Sequence, residues 1–217
     1  MIVHILENQA TVLNSFLSQI RDEAIQKDRL RFRKNIERIG EIIAFELSKS
    51  LSFGDVNIQT PLGVKNMVLP TDDLVICSVL RAGIPLHNGL LNYFDEAGSA
   101  FISAFRNHKD NSDDFEIVVE YFASPDLNGK TLILADPMLA TGQSLVAVLK
   151  GLKKYGTPSK IFIASVIASD TGIAYIKDSF PEDTMLIVAS VDSELNSKGY
   201  ILPGLGDAGD LAFGPKL

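Results

Sequence analysis

The spacing of apolar positions changes character along the chain. Over residues 8–24, Val12, Leu13, Phe16, Leu17 and Ile20 recur at helical spacing and predict a helix. A second helix is expected over 28–51, with Phe32, Ile36, Ile39 and Ile43 on one face. Residues 56–60 and 64–68 flank Thr-Pro-Leu-Gly and predict a hairpin. From residue 74 the texture becomes one of short apolar runs alternating with amphipathic stretches. LVICSVL (74–80), SAFISAF (99–105), IVVEYFA (117–123), TLILA (131–135), KIFIASVI (160–167) and TMLIVAS (184–190) read as strands. Residues 85–94, 142–155 and 171–179 read as helices between them. This alternation predicts βαβ units, hence an α/β fold with a mostly parallel sheet flanked by helices. The polar stretch RNHKDNSDDFE between strands is expected to be a flap-like loop.

Composition narrows the class. The 217 residues are 46% apolar and 22% charged, which suits one folded domain, and no repeat or interdomain linker interrupts them. The net charge of −7 speaks against a broad nucleic-acid surface but is compatible with a small basic pocket. The second helix opens with Arg29, Arg31, Arg33, Lys34 and Arg38, either a solvated face or an anion-facing patch shared with a neighbouring subunit. The single cysteine, Cys77, allows no intramolecular disulfide and lies in an apolar run, as a buried thiol would. MIVHILENQ lacks the form of a signal peptide, and no apolar run approaches the ~20 residues of a membrane span. A cytoplasmic protein without a membrane partner is expected. His4, His87 and His108 have no metal-like spacing and are expected to be structural or superficial.

Near the C-terminus, GYILPGLGDAGDLAFG (199–214) contains Gly204, Gly206 and Gly209 in the order G-x-G-x-x-G. A dinucleotide fingerprint follows a strand, opens a helix and has an acidic residue ~20 positions later. Only eight residues follow Gly209, so the helix, the next strand and the acid have no room. Glycines also let a backbone approach a ligand closely. With Asp207 and Asp210, this segment suits a shaped loop presenting main-chain N–H and C=O groups to a flat polar ligand. An ordinary Gly-rich loop would have the same composition.

A second motif decides between them. In LILADPMLATGQSLVAVLK (132–150), an apolar strand runs into Asp136, then a loop, then a helix beginning near Gly142. Thr141, Gly142, Gln143 and Ser144 place unpaired N–H groups at the helix N-terminus, a phosphate-binding arrangement. The Lys of a Walker A loop is absent. Asp136 sits at a strand end, where open α/β sheets bind ligands.

The two segments together resemble uracil phosphoribosyltransferases. Asp136–Ser144 is similar to that family's phosphoribosyl-pyrophosphate (PRPP) loop, and Gly199–Asp210 to its uracil-binding segment. Val79-Leu80-Arg81-Ala82-Gly83 resembles its pyrophosphate loop, and Phe105-Arg106-Asn107 its arginine segment at the flap. The resemblance extends from about residue 28 to the C-terminus. It implies a type I phosphoribosyltransferase core with a hood formed by flanking segments. Residues 1–217 would be one such domain, with the helices of about 8–51 as an appendage or oligomer contact. It implies conversion of uracil and PRPP to UMP and pyrophosphate, a pyrimidine salvage step, with Mg²⁺. The implied partners are these substrates and further copies of the chain, as a homodimer or homotetramer, with GTP a candidate activator.

The resemblance also assigns residues. Asp136 would hold the ribose hydroxyls. The rest of the loop, Pro137, Met138, Leu139, Ala140, Thr141, Gly142, Gln143 and Ser144, would bind PRPP, with Ala140–Ser144 cradling the 5′-phosphate. Arg81 and Arg106 would face the pyrophosphate, where guanidinium groups suit oxyanions. Ile201, Gly206 and Ala208 would bind uracil through the main chain, with Asp207 also in the uracil-binding set. Asp207 would lie near the phosphoribosyl group, its metal and the reacting carbon, making Asp207 and Arg106 the catalytic candidates. Mg²⁺ would arrive mainly on PRPP.

This chain departs from the family pattern at three places. Gln143 stands where a second Gly is usual, Ser169-Asp170-Thr171-Gly172 where Ala-Pro-Glu-Gly is usual, and Leu211 where a basic residue is frequent. Two other readings use the same fold: a nucleotide-sensing RNA-binding regulator, which needs a basic face, and a phosphoribosyltransferase for another base. The acidic total opposes the first and the C-terminal segment opposes the second.

Overall fold

The computed structural model describes residues 1–108 and 115–216, with the side chains of 104–120 outside the described set. The chain runs β1 (Ile2–Ile5), α1 (Leu13–Arg21), α2 (Arg29–Ser48), β2 (Phe53–Thr60), β3 (Gly63–Pro70), β4 (Leu74–Leu80), α3 (Ile84–Leu91) and β5 (Gly98–His108). It continues with β6 (Phe115–Ala123), β7 (Thr131–Ala135), β8 (Met138–Leu139), α4 (Gln143–Leu152), β9 (Lys160–Ser169) and α5 (Asp170–Ser179). It ends with β10 (Met185–Asp192), β11 (Glu194–Leu195), β12 (Ile201–Leu202) and α6 (Ala208–Phe213).

Among the described residues the main sheet has the order β1-β10-β9-β7-β4-β5-β6, with β8 added on β9. Every pairing in it is parallel except β5 with β6. The predicted α/β fold is therefore found, and β2 with β3 forms the predicted hairpin outside the sheet. Strand alternation divides the core. Ile133, Ala135, Phe162, Ala164, Ile187 and Ala189 face α1, α2, α3 and α6, while Leu132, Leu134, Ile163 and Val188 face α4 and α5. Both faces are covered, which is why the central strands read as continuous apolar runs.

The chain leaves β4 through α3 toward β5, and leaves β7 through α4 toward β9, in opposite directions from adjacent strands. The crevice between the carboxyl ends of β4 and β7 is thus a topological switch point, the place where open parallel sheets bind ligands.

Two differences from the expected elements have local causes. The first helix is shorter, 13–21 rather than 8–24. Thr11 Oγ1 accepts the Leu13 N–H at its start, and beyond its end Asp22 Oδ1 accepts from Ala24 and Ile25 N–H groups in a turn. The strand β1 was not expected. It is a four-residue edge strand with alternate positions exposed, and its pairing to β10 supplies what its sequence does not signal. The expected flap over 105–117 falls largely outside the described residues.

Candidate functional site

Asp136 stands directly after β7. Its N–H donates to the Ala164 carbonyl at 3.1 Å, and its Oδ1 accepts the Met138 N–H at 3.1 Å, so the carboxylate also shapes the loop that follows. The Pro137 carbonyl accepts from Val166 and Ile167, tying the loop to β9. Gly142 caps α4 at φ +76°, without a side-chain cap bond. A Cβ there would lie 3.0 Å from the Gly172 carbonyl, so both conformation and space require glycine. The result is a cup of about 20 Å³ lined by Asp136, Leu139, Ala140, Thr141, Gly142 and Ser144. The first-turn N–H groups of α4 have no acceptors within the helix, and the macrodipole adds a positive potential there. Such a cup favours an anion. Gln143 is not among its lining residues, and neither is Pro137.

The departure at 169–172 lies directly behind this loop. Ser169 caps α5 by accepting the Gly172 N–H at 2.8 Å and donates its hydroxyl to the Ala140 carbonyl. A Cβ on Gly172 would sit 2.4 Å from the Ala140 oxygen and 2.7 Å from that of Leu139. Ser169 and Gly172 therefore support the Asp136–Ser144 loop from beneath. The sequence signal that points to them is the pairing of a Ser cap with a glycine three residues later.

On the β4 side, the turn Val79–Gly83 is closed by Gly83 N–H to the Val79 carbonyl at 2.8 Å. A Cβ on Gly83 would lie 2.6 Å from that oxygen, so the close turn requires glycine. The Leu80–Arg81 peptide is cis. Arg81 leaves this turn toward the C-terminal segment, where Nη2 meets Asp210 Oδ1 at 3.1 Å and the Gly214 carbonyl at 3.0 Å.

The C-terminal segment forms the facing wall. Ile201 lies on β12 and is buried, Gly206 has φ +96° with nothing within 4 Å of a built Cβ, and Ala208 opens α6. Asp207 caps α6 through Oδ1 to the Asp210 N–H at 3.0 Å. A single cleft of about 960 Å³ is lined by Arg81, Asp136, Ser144, Ile201, Gly206 and Asp207, among others. The two motifs, apart in sequence, share one cavity of the size expected for a nucleotide-sized ligand. Lys198, Tyr200 and Lys216 also line it and were not singled out by sequence. Arg106 belongs to β5, but its side chain lies outside the described residues, as does that of His108.

Arg31, Arg33, Lys34 and Arg38, at the basic start of α2, are engaged within the chain. Arg33 donates to the Ala212 carbonyl at 2.7 Å, at the C-terminal end of α6, and Arg38 donates to Asn35 and lies over Phe16. Arg31 and Lys34 pair with Asp28 and Glu37. Cys77 is buried, and burial pushes its thiol up to about 12, leaving it protonated and inert. His87 is buried between Ser78 and Ser99, bonded to both hydroxyls, a structural role.

A family profile described as uracil phosphoribosyltransferase matches residues 7–215. A uracil phosphoribosyltransferase of Porphyromonas gingivalis is 47% identical over 216 residues, covering 100% of this chain and 99% of its own. One from Thermococcus gammatolerans is 43% identical over 204 residues, covering 93% and 88%. Among solved structures, the AQ2163 protein of Aquifex aeolicus superposes with a TM-score of 0.87 at 28% identity over 98% of each chain. A hypoxanthine phosphoribosyltransferase of Staphylococcus aureus shares the fold at a TM-score of 0.50 and 13% identity, covering 75% and 76%. Full-length matching, together with the Asp136–Ser144 loop and a glycine-rich wall in one cleft, leads to one conclusion: the chain belongs to the uracil phosphoribosyltransferase family.

Proposed function

We infer that this protein transfers the phosphoribosyl group of PRPP to uracil, giving UMP and pyrophosphate in pyrimidine salvage. The observation that carries the reading is the shared cleft: the Asp136–Ser144 loop on one wall and Gly206–Ala208 on the other.

The residue roles are proposals. The α4 N-terminus and Ala140–Ser144 hold the 5′-phosphate, and Asp136 the ribose hydroxyls. Arg81 and Arg106 neutralise the departing pyrophosphate. Ile201, Gly206 and Ala208 bind uracil through backbone groups, with Asp207 beside the reacting carbon. In the reaction the C1′–oxygen bond breaks with its electrons passing to pyrophosphate. Uracil N1 bonds to C1′ and loses its proton. The transition state carries oxocarbenium character, as in glycoside hydrolysis. The protein's part is to align N1 with C1′ and to stabilise the leaving charge, each tenfold in rate needing ~1.4 kcal/mol. Uracil and cytosine exchange donor and acceptor at position 4, so fixed backbone partners leave a buried group unpaired with the wrong base.

Mg²⁺ is proposed to enter with PRPP. No cluster of three metal-type side chains is assembled among the described residues, while the carboxylates Asp136 and Asp207 both line the cleft. These donors fit a metal carried by the substrate, and when bound it would neutralise charge on the pyrophosphate. One phosphoribosyltransferase domain is proposed to span the chain. A homo-oligomer is proposed from the apolar side chains exposed on the β2–β3 hairpin, among them Leu62, Val64 and Val68. Among the described residues no helix is long and apolar enough to cross a membrane. A cytoplasmic setting is proposed from the lone reduced thiol of Cys77. GTP activation is proposed on the resemblance alone.

The test is to incubate the protein with Mg²⁺, PRPP and uracil, cytosine, hypoxanthine or adenine, with and without GTP, and to measure nucleotide formed. UMP from uracil alone is expected. No nucleotide, or product from another base at a comparable rate, contradicts the reading.

A further inference from the structure

Arg21, at the end of α1, reaches across to the C-terminal segment. Its Nη1 and Nη2 meet Asp192 Oδ2 and Oδ1 at 2.8 and 3.0 Å, a bidentate pair, and Nη2 also donates to Ser190 Oγ at 2.6 Å. The same Nη1 donates to the Gly204 carbonyl at 3.0 Å, while Asp192 Oδ2 accepts the Gly204 N–H at 3.0 Å. One ion pair thus grips both backbone groups of a single residue. Its carboxylate side chain is 9% exposed and its guanidinium 22%, so water competes weakly for these bonds.

The grip falls on a residue whose conformation and surroundings both require glycine. Gly204 has φ +55°, and a Cβ there would lie 2.2 Å from the Ile201 carbonyl oxygen. One residue further, the Gln26 amide nitrogen, turned toward the loop, donates to the Leu205 carbonyl at 2.9 Å. Successive carbonyls at 204 and 205 are therefore both held from the side of α1 and its connector. In a trans peptide the C=O and N–H point in opposite directions. Holding the Leu205 carbonyl toward Gln26 turns the Gly206 N–H the other way, and Gly206 lines the cleft.

We propose that Arg21, fixed by Asp192, is a positioning residue for the base: it sets the peptide planes of 204–206 and so governs uracil binding without touching substrate. The inference rests on the proposed reading of the cleft. Arginine suits this task because its planar fork can serve carboxylate, hydroxyl and carbonyl at once, whereas lysine presents a single nitrogen.

The test compares Arg21→Lys, Arg21→Met and the isosteric Asp192→Asn with wild type, each checked by thermal melting. The expected result is a uracil KM raised by about tenfold or more, with PRPP KM and kcat at saturating uracil within about threefold. Arg21→Lys should fall between wild type and Arg21→Met. Ser190→Ala, which leaves the grip on Gly204 in place, should keep uracil KM near wild type. A merely structural role predicts a lower melting temperature and a smaller active fraction, with uracil KM unchanged. That outcome, or equal shifts in both KM values, overturns the proposal. Asp192→Asn keeps the shape of its site and carries the decision should the Arg21 variants not fold. Wild type that makes no UMP would instead refute the functional reading itself, a distinguishable result.

Discussion

Arg81 and Asp210 form an ion pair at 3.1 Å that joins the turn after β4 to α6. The guanidinium assigned to pyrophosphate is thus already in contact with the segment assigned to uracil. Both side chains are more than a third exposed, 39% and 37%, and such pairs contribute little in water. Arg81 is therefore free to turn to a more highly charged partner. Asp210→Asn is expected to change PRPP KM by less than about threefold, and Arg81→Ala to raise it by at least about tenfold. Initial rates against PRPP concentration check both, and an Arg81→Ala enzyme with unchanged PRPP KM contradicts the assignment.

Gly172 carries no ligand, yet a methyl group on it would meet two loop carbonyls, at 2.4 and 2.7 Å. Backbone atoms cannot rotate aside as a side-chain tip can, so the loop must shift. Gly172→Ala is expected to raise PRPP KM by about tenfold or more while uracil KM at saturating PRPP moves little. Wild-type values for both would show that the loop tolerates displacement.

Asp136 has two separable duties. Its Oδ1 orders the loop through the Met138 N–H, and its charge is assigned to the ribose hydroxyls. Asp136→Ala should weaken PRPP binding by about a hundredfold, whereas Asp136→Asn, which keeps an oxygen for Met138, should lose less, about tenfold. Calorimetric titration with PRPP and Mg²⁺ measures this, and unchanged affinity in Asp136→Ala contradicts the ribose role.

His87 makes stability depend on pH. Burial pushes its imidazole down to about 4 from an ordinary 6.5. Between those values the unfolded chain binds the proton and the folded one does not. The stabilisation is therefore full above pH about 6.5 and is lost as pH falls to about 4, by about 3 kcal/mol in total. Denaturant unfolding across that range should show the loss, and His87→Gln should remove most of the slope. A pH-independent wild type contradicts the buried neutral state.

What the sequence conveyed depended on the range of the interaction. The β4 and β7 strands were legible because burial on both faces makes their apolar runs continuous. The Asp136–Ser144 loop was legible because strand, acid, glycine and helix start lie within a few residues. By contrast, β11 and β12 are two residues each, and α6 has six residues with a glycine inside, too little for any period to emerge. The Arg21–Asp192 pair spans 171 positions, and only the tertiary fold brings it together. The α2 arginines were visible as a basic run, but the use of Arg33 on the Ala212 carbonyl of α6 was not, since charge spacing says nothing of a partner from another element.

Glycine-rich backbone on one wall of the cleft is proposed to read uracil. Gly206 offers the sharpest probe, because the space a side chain would enter there is open. The measurement is UMP formation against uracil concentration at saturating PRPP, for wild type and Gly206→Val, with PRPP KM taken in parallel. UMP is expected from wild type, with a kcat/KM for uracil lower by at least about a hundredfold in the variant and PRPP KM within about threefold. A Gly206→Val enzyme with a normal uracil KM would contradict it.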